Sequence, residues 1–277
     1  MTTRLLFLTK DPEIGRIAER AGVDWIFVDL EYRGKSDRQS GRDTVISAHS
    51  IEDVVAMRAA ITTAQLLVRV NPLGEWSREE IDGAIDAGAD IVMLPFFTTP
   101  GEVEAFVTMV GGRAKACLLV ETMGAVDAIE EILAVPGIDF IHIGLNDIHI
   151  ERQTRFMFEL LGDGTLDMLA AKIRPTGIPF GIGGMARIGE KIPPAEAILA
   201  EHHRLGSTGV ILSRAFIAAA KIDDLSEIER LFVTGARDIR ETEARLAVAD
   251  ASFFEANRIR TREQIYQVAE EIGRARA

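Results

Sequence analysis

The sequence has a single cysteine and no long apolar run. Cys117 lies among apolar neighbours, so an intramolecular disulfide is impossible and a buried, reduced thiol is expected. The apolar stretch from Leu5 to Leu8 is cut off at Lys10, which makes it too short for the core of a signal peptide. No later run approaches membrane-spanning length. We therefore expect a soluble, cytoplasmic protein with no membrane partner.

The sequence also has fewer basic residues than acidic ones. The chain has 31 lysine and arginine residues against 43 aspartate and glutamate residues, which gives a formal net charge of −12. The basic residues are scattered among acidic ones rather than gathered into a stripe. Because such a chain repels a phosphate backbone at long range, we expect no nucleic-acid partner.

Several familiar catalytic motifs are missing. The first apolar run is followed by residues 9–12 (TKDP), where a dinucleotide-binding protein would have a glycine-rich turn. There is no GxSxG elbow and no HExxH helix, which argues against a serine hydrolase and a zinc protease. No lysine ends a predicted strand, where a class I aldolase would need it, and Lys115 begins its strand. His202 and His203 fall on a predicted helix, and we interpret them as solvated surface rather than ligands.

Short apolar runs recur along the chain, separated by segments of helical period. We interpret these runs as eight buried strands: Leu5–Leu8, Trp25–Leu30, Leu66–Val70, Ile91–Leu94, Cys117–Val120, Phe140–Ile143, Ile178–Ile182 and Val210–Leu212. Apolar strands that alternate with amphipathic helices require a parallel sheet covered by helices. Eight repeats favour a closed (β/α)8 TIM barrel, with a doubly wound open sheet as the alternative.

The domain prediction follows from the excess of helix at the C-terminus. We divide the chain into the barrel, residues 1–222, and a C-terminal helical extension, residues 223–277, within one domain overall. The extension has more apolar helical positions, among them Phe232, Phe253 and Phe254, than the eighth helix of a barrel needs. Because such a stripe must be buried, we expect the extension to pack on a neighbouring subunit of a homo-oligomer.

Two connections are longer than a β/α repeat requires. Residues 31–49 follow the second strand, which is the catalytic side of a barrel. Their basic residues Lys35, Arg38 and Arg42 either contact an anionic group at the far end of a substrate or belong to a solvated polar loop. Residues 146–161 follow the sixth strand, and we expect them to contain a short helix.

Charged residues stand at the ends of several predicted strands. Asp29, Arg69 and Glu121 end the second, third and fifth strands, and Asp147 follows the sixth. A charge at the end of a buried strand is costly unless it is paired or binds a metal. An ion-pair network is one interpretation. A site for a hard divalent cation, Mg²⁺ or Mn²⁺, with open positions for water and substrate oxygens, is the other.

At these residues the sequence resembles the HpcH/HpaI aldolase and citrate lyase β-chain superfamily of metal-dependent barrels. The segments that carry the resemblance are DWIFVDLE, LLVRVNP, GADIVMLPFF, LLVETMGAVDAIEEILAVPGIDFIHIGLNDI and GIPFGIGG. The resemblance implies a class II aldolase in which Glu121 and Asp147 bind the divalent metal. It also implies that Arg69 holds the carboxylate or enolate oxygen of a 2-oxo acid. Gly144 and Asn146 would then lie against the substrate.

The sequence departs from this family at one catalytic position. Pyruvate aldolases of the family have an Asp-Gly-Glu-His pattern after the second strand, and here residues 29–32 read Asp-Leu-Glu-Tyr. A phenol such as Tyr32 is a poorer base near neutral pH than the imidazole it replaces. Proton transfer therefore falls to Asp29, to a water on the metal, or to His49 of the long connection. His49 could instead cap the helix that begins near Ser50.

Three functional hypotheses follow. The first is a carbon–carbon lyase, an aldolase, acting on a small 2-oxo acid such as pyruvate. The second is a citryl- or malyl-thioester lyase or a citrate-synthase-like condensing enzyme with the same metal and arginine. The third is a barrel that binds a 2-oxo acid without turning it over, which the missing histidine motivates.

Overall fold

The computed structural model describes residues 2–33, 49–190, 192–213, 216–217 and 224–276. The proposed substrate contacts of Lys35, Arg38 and Arg42 lie outside these residues. Within the described ranges, no helix has both the length and the apolar character needed to span a bilayer.

Eight parallel strands close into a barrel in sequence order, with β1 pairing β8. The strands are β1 Arg4–Leu8, β2 Trp25–Asp29, β3 Gln65–Arg69, β4 Ile91–Leu94, β5 Lys115–Val120, β6 Phe140–Ile143, β7 Phe180–Met185 and β8 Gly209–Leu212. The barrel prediction is confirmed, and the open-sheet alternative is wrong. Each strand prediction rested on a near-continuous apolar run, which is what burial on both faces of a strand demands.

Helices follow the strands and cover the barrel. The described helices are α1 Pro12–Arg20, α2 Ile51–Ala60, α3 Ser77–Asp86, α4 Pro100–Val110, α5 Met123–Asp127, α6 Ile129–Leu133, α7 Leu145–Glu151, α8 Glu159–Gly162, α9 Thr165–Ile173, α10 Ala195–Leu205, α11 Leu225–Leu246 and α12 Ala251–Arg276. A short 3-10 turn, Arg174–Thr176, follows α9. The long connection after β6 contains α7 and α8, as expected of residues 146–161.

The interior of the barrel is a separate apolar cluster. Alternate positions along the strands supply it: Leu6, Trp25, Phe27, Leu67, Ile91, Met93, Cys117, Leu119 and Phe140. Cys117 is a buried free thiol, and burial raises its pKa above the ordinary value, so it stays protonated. The interior is therefore a packed core, and chemistry is confined to the carboxyl ends of the strands.

The seventh strand differs most from its prediction. It begins at Phe180 and ends at Met185, whereas the apolar run ended at Ile182. Its pairing with β8 shifts register between Gly181 and Gly184, which adds one residue to β7, and Gly183 adopts a left-handed φ of 45°. Because glycine adopts this conformation without strain, the Gly183–Gly184 pair continues the strand where an apolar count predicts its end.

The C-terminal helices contact the barrel helices of the same chain. Helix α11 packs on α1, and Phe232 makes an edge contact with Phe7 of β1 at 4.8 Å between ring centroids. Helix α12 packs on α8 and α10, where Asn257 donates a hydrogen bond to the carbonyl of Ala197. Phe253 remains 42% exposed on α12. Packing of this extension on a neighbouring subunit stays a prediction.

Candidate active site

Three of the strand-end charges predicted from sequence meet at the carboxyl end of the barrel. Asp29 ends β2 and pairs in register with Arg69, which ends β3. Glu121 follows β5, and its neighbour across the sheet is Gly144, whose N–H donates to the carbonyl of Val120 at 2.9 Å. Asp29 and Glu121 are both buried.

Arg69 is held by two acidic residues of the second strand and the segment that follows it. Its Nε donates to Asp29 Oδ1 and its Nη2 to Asp29 Oδ2, each at 2.8 Å. Nη2 also lies 3.3 Å from Glu31 Oε2. The Nη1 nitrogen makes no hydrogen bond with any residue in the described ranges, and the side chain is 14% exposed. This nitrogen is therefore a donor available to an anionic ligand.

The charge of Arg69 is fixed by its surroundings. Burial acts to lower the pKa of Arg69, but the negative charges of Asp29, Glu31 and Glu121 outweigh it, and the pKa is raised above the ordinary value. The guanidinium therefore stays positive at every pH at which the protein is folded.

Glu121 is fixed from two sides. Its Oε1 accepts a hydrogen bond from the N–H of Phe96 at 3.2 Å. A Cβ at Gly144 would lie 2.9 Å from Glu121 Cβ and 3.2 Å from Glu121 Oε2, so only glycine allows this approach. The space that the glycine leaves is thus taken by Glu121, and contact between Gly144 and a substrate stays a prediction.

Asp147 lies in the first turn of α7, three residues beyond Gly144. It is partly buried, and its carboxylate makes no hydrogen bond or ion pair with any part of the chain that the structure describes. Asn146 before it is exposed. Among the described residues no group of three histidine, cysteine or acidic side chains is placed to hold a metal.

His49 and Tyr32 occupy different positions around Asp29. His49 Nδ1 accepts a hydrogen bond from the backbone N–H of Asp29 at 3.0 Å, which requires that nitrogen to be unprotonated. The cap of α2 is a capping box made by Ser50 and Asp53. Tyr32 is 55% exposed, and its ring lies 5.1 Å from the guanidinium carbon of Arg33. The structure therefore brings the His49 ring, rather than the Tyr32 ring, to the backbone of Asp29.

Asn71 is a residue of the site region to which sequence reasoning gave no role. Its Oδ1 accepts hydrogen bonds from the backbone N–H groups of Tyr32 and Arg33, both at 2.9 Å. Its Nδ2 donates to Leu30 O and to Glu80 Oε1. Asn71 therefore fixes the start of the segment that follows β2. Its place directly after a buried strand was the available signal.

Two histidines to which the sequence analysis gave no role in the core are buried, His202 on α10 and His142 on β6. His202 is 3% exposed and its Nδ1 lies 3.0 Å from Ser207 Oγ, so its interpretation as solvated surface is wrong. His203 is partly buried and stacks on Phe254. His142 lies inside β6 and is also buried. The helical spacing of Ile198, His202 and Leu205 was the signal for His202, since residues four and three apart share a face.

Comparison with known proteins identifies similar sequences. Residues 4–156 match the profile of a family described as HpcH/HpaI aldolase/citrate lyase. A 4-hydroxy-2-oxovalerate aldolase from Novosphingobium aromaticivorans is 25% identical, with 62% of this chain and 71% of that protein covered. A hydroxypyruvate/pyruvate aldolase from Roseovarius nubinhibens is 26% identical, with 62% and 73% covered.

Solved structures share the barrel. An HpcH/HpaI aldolase from Desulfitobacterium hafniense superposes with a TM-score of 0.57 at 16% identity, covering 87% of this chain and 93% of that one. An HpcH/HpaI aldolase/citrate lyase family protein from Burkholderia cenocepacia gives 0.61 at 17%, covering 82% and 95%. The citrate synthase SbnG gives 0.58 at 17%, covering 88% and 95%. At these identities the likeness shows the fold alone.

Proposed function

The chain belongs to the HpcH/HpaI aldolase/citrate lyase family, and from that premise we propose that it is a metal-dependent carbon–carbon lyase acting through the enolate of a pyruvate-type 2-oxo acid. One observation carries the proposal. Arg69 is anchored by Asp29 through two hydrogen bonds, and its Nη1 has no partner among the described residues, beside the buried carboxylate of Glu121. A positive group and a carboxylate are thus presented together at the catalytic end of the barrel.

Glu121 and Asp147 are the proposed ligands of a divalent cation, Mg²⁺ or Mn²⁺. Both offer only oxygen, which suits a hard cation, and they follow neighbouring strands. Asp147 makes no described hydrogen bond, so both of its oxygens are available. Two carboxylates leave positions for water and for two substrate oxygens. When bound, the cation draws charge from the carbonyl oxygen of a 2-oxo acid.

Arg69 is the proposed partner of the substrate's carboxylate or of its developing enolate oxygen. Because Asp29 fixes the plane of the guanidinium, the free Nη1 needs no reorganisation when charge develops on the substrate. Asn146, exposed in the first turn of α7, is proposed to donate a further hydrogen bond to the substrate. Gly144 is proposed to lie against it.

Asp29 is the proposed base, with His49 as the alternative. The Asp29 carboxylate is buried and hydrogen-bonded to Arg69, the proposed partner of the substrate, so a 2-oxo acid bound to Arg69 would lie close to it. His49 Nδ1 accepts a hydrogen bond from the backbone N–H of the same residue, and an imidazole is a suitable general base near neutral pH. Tyr32 is exposed, so we propose no catalytic role for its phenol. The variant Tyr32→Phe tests this.

The test is proton exchange without an acceptor. The protein should exchange the methyl protons of pyruvate for deuterium when Mg²⁺ or Mn²⁺ is present, because enolate formation needs only the cation, Arg69 and a base. Mass spectrometry of pyruvate, with a chelator-treated sample as control, measures the exchange. No metal-dependent exchange of pyruvate or oxaloacetate would overturn the aldolase proposal. Turnover of an acyl thioester would then support the thioester-lyase reading, and binding of pyruvate without turnover would support a binding protein.

A further inference from the structure

His142 is a buried group that the proposed chemistry does not use. It lies on β6 two residues before Gly144 and is 1% exposed. Its Nε2 lies 3.0 Å from the carbonyl oxygen of Gly183, which can only accept, so Nε2 donates. Its Nδ1 has no hydrogen-bond partner in the described part of the chain. Burial, with a smaller contribution from the charge of Arg69, lowers the pKa of His142 to about 4, so the ring is neutral near pH 7.

Strand β7 is shaped around this ring. A Cβ at Gly181 would lie 2.7 Å from His142 Nδ1, so only glycine fits beside the imidazole. Gly183 lies two residues further along β7 and has a φ of 45°. It belongs to the irregularity where the pairing of β7 with β8 shifts register between Gly181 and Gly184. Such a bulge turns a carbonyl out of the regular ladder. The His142 N–H donates to the carbonyl of Gly183. This hydrogen bond is stabilising, because a buried carbonyl without a partner costs free energy.

Gly183 in turn touches the helix that carries Asp147. A Cβ at Gly183 would lie 2.7 Å from Leu145 Cδ1, so the glycine backbone and this side chain are in close contact. Leu145 is the first residue of α7, is buried, and precedes Asp147 by two residues. The bulge therefore packs directly against the first residue of α7.

We infer that His142 is a positioning residue, which holds the Gly183 bulge against Leu145 and so places Asp147 for cation binding. The inference rests on the proposed function, since Asp147 is a proposed ligand. It predicts that removing the His142 donor changes metal affinity without removing any ligand. Groups that orient metal ligands from the surrounding shell commonly change affinity by roughly 10- to 100-fold.

The test compares His142→Leu, His142→Gln and Asn257→Leu with the wild type by calorimetric titration of Mn²⁺ into the apoprotein. Asn257 is the matched control, because it is also buried and also donates to a backbone carbonyl, that of Ala197 at 3.1 Å, but on α12. We expect His142→Leu to weaken Mn²⁺ binding by roughly ten-fold. His142→Gln, whose amide nitrogen reaches a similar distance, should recover much of the loss, and Asn257→Leu should bind as the wild type does.

The outcomes separate this inference from the proposed function. If the wild type binds Mn²⁺ and folded His142→Leu binds it equally well, His142 does not position Asp147. Equal weakening in His142→Leu and Asn257→Leu would also overturn the inference, since it would reflect stability alone. If His142→Leu does not fold, His142→Ala, which also lacks the donor, takes its place: an affinity below that of His142→Gln and Asn257→Leu supports the inference, and an affinity equal to theirs opposes it. A wild type that binds no Mn²⁺ overturns the metal proposal itself, and this inference with it.

Discussion

Asp29 and Arg69 stand opposite each other on β2 and β3 and are joined by two hydrogen bonds of 2.8 Å. The sequence left open whether strand-end charges form an ion pair or a ligand site, and this pair is compatible with both. The carboxylate takes up Nε and Nη2 of the guanidinium and leaves Nη1 without a described partner. A donor left open at the carboxyl end of a barrel is available to an anionic ligand.

Replacement of Arg69 by alanine should slow metal-dependent proton exchange of pyruvate by on the order of 10² to 10³, because the donor that meets the developing enolate charge is lost. Arg69→Lys keeps the charge but not the paired geometry, and it should recover only part of the rate. Mass spectrometry measures exchange, and circular dichroism checks that each variant is folded. A folded Arg69→Ala protein that exchanges at the wild-type rate would show that Arg69 does not contact the enolate.

Glu121→Gln and Asp147→Asn should each weaken Mn²⁺ binding, because each removes one of two proposed charged ligands. Isothermal titration calorimetry measures the affinity. Glu31→Gln is the matched control: this buried carboxylate lies 3.3 Å from Arg69 but is not a proposed ligand. If both ligand variants keep the wild-type affinity, the site assignment is wrong. If Glu31→Gln weakens binding as much, the cation responds to the general negative charge of the region.

The fold could be predicted well because buried strands appear in the sequence as apolar runs that recur along the chain. All eight apolar runs became strands, and the barrel order follows from their number. The exception is β7, where Gly183 and Gly184 extend the strand. A bulge depends on how a strand pairs with its neighbour, and an apolar count along one strand does not contain that information. The predicted family resemblance is confirmed.

The site could be predicted only where its residues end strands. Asp29, Arg69 and Glu121 do so, and the barrel brings them together. Asn71 acts through hydrogen bonds to backbone groups about forty residues earlier in the chain, and such partners are chosen by loop conformation. His142 received no role from the sequence, because nothing in its own strand reveals the bulge whose carbonyl its N–H contacts.

The buried histidines should make folding stability fall in mild acid. Burial lowers the pKa of His142 to about 4 and that of His202 to about 3, whereas an unfolded chain binds these protons near the ordinary value of 6.5. The unfolded state therefore takes up more protons below pH 6.5, so this stability is complete above that pH and is lost as pH falls. One unit below 6.5 the loss is about 1 kcal/mol for each histidine.

Urea denaturation at about pH 7.5 and about pH 5.5 measures the effect, a window in which most carboxylates stay ionised in both states. His202→Asn removes one titrating ring, and the difference in unfolding free energy between the two pH values should shrink by about 1 kcal/mol. An unchanged difference in this variant would mean that His202 is protonated as readily in the folded protein as in the unfolded one.

The C-terminal helices should bury apolar surface against a second copy of the chain. Val233, Phe253 and Ile259 remain exposed on α11 and α12 although both helices already pack on the barrel. We expect light scattering to show a homo-oligomer, and Phe253→Asp should lower the molar mass measured for the particle in solution. Met168→Asp, at an exposed apolar position of α9, is the control and should leave the mass unchanged. A monodisperse wild-type monomer at micromolar concentration would remove this proposal.

The identity of the base can be decided by separating binding from proton transfer. If Asp29 is the base, Asp29→Asn should retain pyruvate binding in the presence of Mg²⁺ and lose exchange by on the order of 10² or more. If Asp29 only anchors Arg69, pyruvate binding should weaken together with exchange, because the guanidinium loses its orientation. Measuring both the pyruvate affinity and the exchange rate distinguishes a base from an anchor.

His49→Gln and Tyr32→Phe complete this test. Because His49 accepts a hydrogen bond from the backbone N–H of Asp29 and is not itself the base if Asp29 is, His49→Gln should lower the exchange rate less than Asp29→Asn does. Tyr32→Phe should leave exchange unchanged, since the phenol ring is exposed and keeps its contact with Arg33. A His49→Gln variant that loses exchange while Asp29→Asn keeps it would transfer the role of base to the imidazole.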